Sequence, residues 1–270
     1  MWQSFEGVVL FSRTHREHDG LVKIFTKEFG TKMFFVRHFK KANHPMGSQL
    51  FALTRNQYVG QINEEGLSFL KEAQTLDFNR SLQTDYLQQA YALYCAQLVD
   101  AALEEGIANE RVYSLFLEVL ENLNSRHLSE ITVIYFEIAL LNEFGVGLNW
   151  KSCVVCDEFK EPFDFSLRLM GLLCPNHYIN DHYRLNISPK AMHVAIMLAN
   201  HSLNQIQSVS VSKKTLSELR RLMDQIYQDY IGLTLKSRCF LKQMEQMEQS
   251  VQRLKVQRKS HKERDNKEEV

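Results

Sequence analysis

Cys153-Val-Val-Cys156 and Cys174-Pro-Asn-His177 stand 17 residues apart, and this spacing constrains the fold more than any other feature of the chain. Two pairs with two intervening residues each can bend into knuckles that bring four side chains to one tetrahedral ion, with zinc–sulfur distances near about 2.3 Å and zinc–nitrogen near about 2.0–2.1 Å. The spacing predicts a zinc ribbon over residues 151–183 holding one structural Zn on Cys153, Cys156, Cys174 and His177, with His182 as the alternative fourth ligand. Gly171 suits a turn ahead of the second knuckle, and Pro175 stiffens it. Free cysteines also pack as small hydrophobes, yet two half-sites at this separation favour a metal. Four protein ligands leave no open position for catalysis, and neither H-E-x-x-H nor H-x-E accompanies Glu158 and Glu161. An odd total of five cysteines, three of them in this cluster, suits a reducing, cytoplasmic compartment.

On either side of the ribbon the apolar period changes. Before residue 80 the chain reads as short runs rich in β-branched and aromatic residues, Phe5 to Phe11, Leu21 to Thr26, Lys32 to Arg37, Gln49 to Tyr58 and Leu67 to Gln74, separated by turn residues such as Asp19-Gly20, Gly30 and Pro45-Met46-Gly47. Five strands and no long helix suit a small closed barrel, because closure removes sheet edges. From about residue 82 the spacing becomes helical: Leu87, Tyr91, Tyr94 and Leu98, then Val112, Leu115, Phe116 and Val119. Asn109 is placed to cap the second helix and Ser129 to open a third that ends at Gly145 and Gly147. Ser188-Pro189 opens another, and a long helix follows from about Lys214. The expected organisation is α+β: an OB-fold barrel over 1–80, a helical domain in two parts over 81–150 and 184–250, the zinc ribbon inserted at 151–183, and a charged tail at 251–270. No run is apolar enough to span a membrane. Phosphate-cradling and nucleophile-elbow motifs are absent, and Cys95 and Cys239 lie in apolar helical stretches that suit a core, so no enzyme is expected.

The formal charge of zero conceals a segregation. Residues 1–80 carry 11 Lys/Arg against 8 Asp/Glu, residues 81–150 carry 2 against 10, and residues 151–270 carry 19 against 14. Affinity for a polyanion depends on the local field over a face rather than on the total. Strand Lys32 to Arg37 runs into His38-Phe39-Lys40-Lys41, and oligonucleotide-binding barrels combine cations that track phosphates with aromatics on which bases stack. Arg37, Lys40, Lys41, Lys32 and, on the neighbouring strand, Lys23 and Lys27 are the expected DNA contacts. For Phe34 and Phe35, core filling is preferred over stacking. The paired carboxylates Glu104-Glu105 read as a solvated face.

With these pieces in order, the chain resembles the RecO family of bacterial recombination mediators from about Trp2 to Met244. The resemblance is carried by Gly7-Val-Val-Leu10 with Glu17-His-Asp19-Gly-Leu21-Val-Lys-Ile-Phe25-Thr26-Lys-Glu28-Phe-Gly30, then Phe136-Glu-Ile-Ala-Leu-Leu141 leading into the first cysteine pair. It continues through Phe165-Ser166, Gly171-Leu-Leu-Cys174 and Tyr230-Ile-Gly-Leu-Thr-Leu-Lys236-Ser237-Arg238. Two departures stand out: Arg37 to Lys41 replaces a small glycine-containing basic segment, and His177 stands where cysteine is common. The resemblance implies a non-enzymatic DNA-repair protein of the cytoplasm and nucleoid that binds single- and double-stranded DNA and anneals complementary strands. It further implies that RecR is a partner in loading RecA onto strands coated by single-strand-binding protein. A zinc-ribbon transcription or protein-interaction scaffold without annealing activity is the alternative.

Overall fold

A computed structural model describes residues 1–126, 128–206 and 211–232 together with Arg238, Leu241, Gln243 and Met244. The expected tail at 251–270 and Cys239 lie outside the described residues. Strands β1 (Trp2–His15), β2 (Asp19–Thr26), β3 (Gly30–Val36), β4 (Arg55–Gln61) and β5 (Ser68–Asp77) form a closed barrel in the order β1-β2-β3-β5-β4. Strand β1 is long enough to pair with β4 through its first half and β2 through its second, shifting register between Val9 and Phe11. A short parallel contact, Phe34 opposite Ser68 and Phe35 opposite Phe69, brings β3 and β5 together. Strand alternation sends Phe5, Val9, Val22, Ile24, Phe34, Val36 and Tyr58 inward. There Phe5 stacks on both Phe34 and Tyr58 at 5.6 Å.

The strand expected over Gln49 to Tyr58 divides. Ser48–Leu50 is a 3-10 turn, Leu53 takes a positive φ of 69°, and β4 begins only at Arg55. Leu50 is thereby free to enter the barrel core, and the Asn56 amide and Tyr58 hydroxyl hold the turn by donating to the Gln49 carbonyl.

The opposite side chains of the barrel join a second core. Val8, Leu10, Phe25 and Leu53 pack with the helices, and the ring of Phe25 meets Tyr113 edge-on at 5.2 Å. Gly30, at φ 64°, allows the carbonyl of Ile107 to approach so closely that a Cβ would lie 2.1 Å from it. The helices are α1 (Arg80–Thr84), α2 (Tyr86–Ala102), α3 (Glu110–Asn124), α4 (Ser129–Leu140), α5 (Pro189–Asn200) and α6 (Lys213–Ile226). Asn109 caps α3 by accepting from the Val112 amide, and Ser188 caps α5 by accepting from Ala191. Ser129 opens α4 but does not cap it, since its hydroxyl donates to Gln88 across the helix pair and Leu128 holds the cap position at φ 47°. Helix α4 ends at Leu140, ahead of the glycines, and Gly145 at φ 75° falls within the following turns. The buried Glu137 of α4 accepts from Tyr94 of α2 and Arg220 of α6 at 2.6 and 3.1 Å, tying three helices through one carboxylate.

Between α4 and α5 the chain inserts a three-stranded sheet of β6 (Asn149–Cys153), β7 (Asp164–Ser166) and β8 (Gly171–Leu173) in the order β6-β8-β7. Phe163, Phe165, Leu172 and Leu173 from this insert bury into the same core as the helices. Asp164 fixes the exit, accepting from the amides of Asn186 and Ile187 and pairing with Arg184 at 3.1 Å. Among the described residues no helix is long and apolar enough to cross a membrane.

Candidate metal centre and nucleic-acid interface

The two knuckles converge as their spacing predicts. One ligand atom from each of Cys153, Cys156, Cys174 and His177 lies within 4.8 Å of all the others. His177 rather than His182 completes the group. The Cys156 and Cys174 sulfurs stand 3.8 Å apart, and His177 Nδ1 lies 3.2 Å from Cys174 Sγ and 3.7 Å from Cys153 Sγ. Tetrahedral bonds of about 2.3 Å to sulfur and about 2.0 Å to nitrogen require edges of roughly 3.8 and 3.5 Å, so the donor set fits a tetrahedral ion. A disulfide would need about 2.05 Å.

The local backbone explains the convergence. Cys153 ends β6, its carbonyl accepts from the Asp157 amide at 2.9 Å, and Asp157 turns the chain at φ 58°. Cys174 leads into the 3-10 turn Pro175–Asn180, whose first bond runs from the His177 amide to the Cys174 carbonyl. Burial opposes ionisation of Cys153, but amides of Cys174, Val155 and Cys156 point at its sulfur and hold the thiol down to about 6. At Cys153 this favours thiolate, the form that binds metal, whereas Cys156 is pushed up: the Glu158 amide lowers it, but desolvation and the sulfurs of Cys153 and Cys174 outweigh that. Gly171 serves differently from the expected turn. It opens β8, directly after the turn at 167–170, and a Cβ there would lie 2.5 Å from Val154 Cγ1, so its role is the close approach of the first knuckle.

The expected DNA contacts separate into two groups. Lys23 is 7% exposed, with its ammonium 2.6 Å from Glu105 and 3.6 Å from Asp100. Lys32 is 5% exposed and donates to the carbonyls of Asn63 and Glu64. These two leave the candidate set on geometry, since a buried ammonium already held by fixed acceptors cannot also reach phosphate without losing them. Glu105 is correspondingly structural: it also accepts from the Met33 amide, docking the loop after α2 on the barrel. Lys27 is exposed and pairs with Glu110 at 3.1 Å.

Arg37, Lys40 and Lys41 differ. All three are exposed, and among the described residues they form no ion pair. They stand on the segment after β3, which folds back on the β1–β2 turn: the His38 amide donates to Asp19 Oδ1 and the Lys40 amide to the His18 carbonyl. That hairpin adds exposed Arg13, near the end of β1, and exposed Arg16, in the turn, to the same end of the barrel. Sequence reasoning missed these two arginines. The available signal was the Asp19-Gly20 turn, which makes β1 and β2 a hairpin and carries residues 13–18 alongside the end of β3. Phe34 is buried in the barrel, as preferred, whereas Phe35 is only partly covered.

Comparison with known proteins covers nearly the whole chain. A family model described as Recombination protein O N terminal matches residues 1–79, and one described as Recombination protein O C terminal matches residues 83–239. The DNA repair protein RecO of Enterococcus faecalis is 35% identical over 246 residues, covering 91% of this chain and 94% of the relative. That of Limosilactobacillus fermentum is 37% identical over 243 residues, covering 90% and 89%. That of Lactococcus lactis is 34% identical over 236 residues, covering 87% and 93%.

Proposed function

The chain belongs to the RecO family of DNA repair proteins, and on that premise we propose that it is a recombination mediator that binds single- and double-stranded DNA without reading sequence and anneals complementary strands. With RecR it helps load RecA onto DNA coated by single-strand-binding protein, and it works in the cytoplasm at the nucleoid. The observation that carries the DNA-binding part is the end of the barrel, where Arg37, Lys40 and Lys41 are exposed and have no carboxylate partner among the described residues. Annealing two polyanions requires a surface that lowers their mutual repulsion while leaving base edges free, and phosphate contacts do this without sequence readout. No catalytic step is proposed.

Zinc on Cys153, Cys156, Cys174 and His177 has a structural role in this reading. When bound, the ion supplies a rigid cross-link between the first knuckle and the segment after β8. The four residues fill its coordination shell and hold the ribbon against the helical core.

The acidic region of residues 81–150 faces protein partners rather than DNA. Glu104 is exposed, whereas Glu105 holds Lys23 and the barrel edge, so Glu104→Lys isolates the field from the fold. Its DNA affinity is expected to be unchanged or raised within about threefold. A clear loss in titrations of the folded variant would contradict the assignment.

The mediator reading is tested by annealing of two complementary labelled oligonucleotides, bare and coated with single-strand-binding protein. Acceleration of both is expected. A scaffold without annealing activity accelerates neither.

A further inference from the structure

One end of the barrel's outer surface carries aromatic rings that neither core absorbs. Because Phe34 points inward, alternation puts Phe35 outside, and the parallel pairing of β3 with β5 sets Phe69 beside it. Their centroids are 6.3 Å apart with planes at 75°, and the ring of His15 on β1 lies 6.2 Å from that of Phe35 with planes at 84°. Phe69 is 38% exposed and His15 and Phe35 are partly so. Where the helical part docks, the outer face is covered: Phe25 lies under α3, and Lys23 lies under Glu105. The open end thus presents three rings from three strands, in register with exposed Arg13 across β2 and two residues from exposed Arg37.

Resting on the DNA interface assigned above, we propose that Phe35 and Phe69, with His15 beside them, form a platform on which unpaired bases of single-stranded nucleic acid stack. Flat π faces bordered by cations match the two parts of a nucleotide, and stacking tolerates any base because every base has a π face. A duplex has no base face to offer, because its bases are already stacked on one another. The platform therefore adds affinity for unpaired strands alone, while the cations serve both forms. Held by their faces, bases keep their pairing edges free, which is the state an annealing surface needs.

The test compares wild type, Phe35→Ala, Phe69→Ala, Phe69→Leu and Phe69→Trp for binding a mixed-sequence single strand, its duplex and a base-free deoxyribose-phosphate strand of equal length. Each alanine variant is expected to lose roughly 5- to 150-fold in single-strand affinity, with duplex and base-free binding within about twofold of wild type and the single-strand salt slope unchanged. Phe69→Leu, which keeps apolar volume without a π face, should lose as alanine does, and Phe69→Trp should bind as wild type does. Equal losses on single strand and duplex, wild-type single-strand affinity in the alanine variants, or full binding by Phe69→Leu would each overturn the platform. The Arg37, Lys40 and Lys41 triple alanine variant, run in parallel, separates the two readings. If it alone weakens binding, the platform fails and the phosphate interface stands. If it binds normally while the aromatic variants lose only single-strand affinity, the platform stands and the phosphate interface fails.

Discussion

Cys153→Ser should release the metal and destabilise the protein more than any other single change considered for this chain. Structural zinc in peptide sites supplies apparent binding energies of about 10–16 kcal/mol, and that energy is also folding energy. Here the ribbon shares its core with the helices through Phe163, Phe165, Leu172 and Leu173, so part of its order persists without the ion. If about a third of the binding energy is lost to folding, the midpoint of thermal unfolding falls by roughly 10 °C. Elemental analysis of purified wild-type protein should give about one zinc per chain, and a strong chelator should reproduce the variant's shift. A well-folded wild-type protein with less than about a tenth of a zinc per chain would refute the metal assignment. The swap Cys174→Ser should match Cys153→Ser, because both remove one of four ligands at the same centre.

The centre was legible because its information is local: each chelating pair spans four residues, and its backbone turn is closed within that span or by the one or two residues after it. The barrel was legible for a related reason: alternation puts Phe34 and Phe35 on opposite faces, although core filling was expected of both and only Phe34 is buried. The alternation left Lys23 and Lys32 undecided, because what surrounds them comes from far away in the chain: Lys23 faces outward, whereas Lys32 lies opposite Ile24 on the inward face of Phe34 and Val36. Glu105, 82 residues from Lys23, and the carbonyls of Asn63 and Glu64, about 30 residues from Lys32, convert two apparent surface cations into internal ties. The same long range hides the role of Glu105, which in sequence is one of two adjacent acids. Phe69 was unremarked because its partner Phe35 is reached only through the parallel pairing that brings β3 to β5. The strand error at Gln49 to Tyr58 has a different origin. Apolar Leu50 and Leu53 suit a strand by composition, but the positive φ at Leu53 and the bonds from Asn56 and Tyr58 to the Gln49 carbonyl hold a turn there.

Replacing Arg37, Lys40 and Lys41 together with alanine carries the second large effect. The three are exposed and unpaired among the described residues, so their removal breaks no ion pair and leaves no buried group unsatisfied. Thermal stability should stay within about 1 kcal/mol of wild type. DNA affinity should fall on the order of a hundredfold at low salt, about equally for unrelated sequences, because phosphates carry no sequence information. Loss of the buried Lys23 would behave otherwise, lowering stability and affinity together through the Glu105 contact.

The most direct measurement is the slope of log affinity against log salt for this triple variant on single strands and on duplex. Each lost phosphate contact removes about 0.7 from the slope for single strands and about 0.9 for duplex. The barrel-end interface therefore predicts a slope flatter by about 2 to 3 units in a protein that melts as wild type does. A triple variant with wild-type affinity and wild-type slope, or one whose binding loss tracks unfolding, would contradict it and move the DNA surface to the exposed basic residues of the C-terminal third, Lys213 and Lys214 first, since Arg220 is held by Glu137.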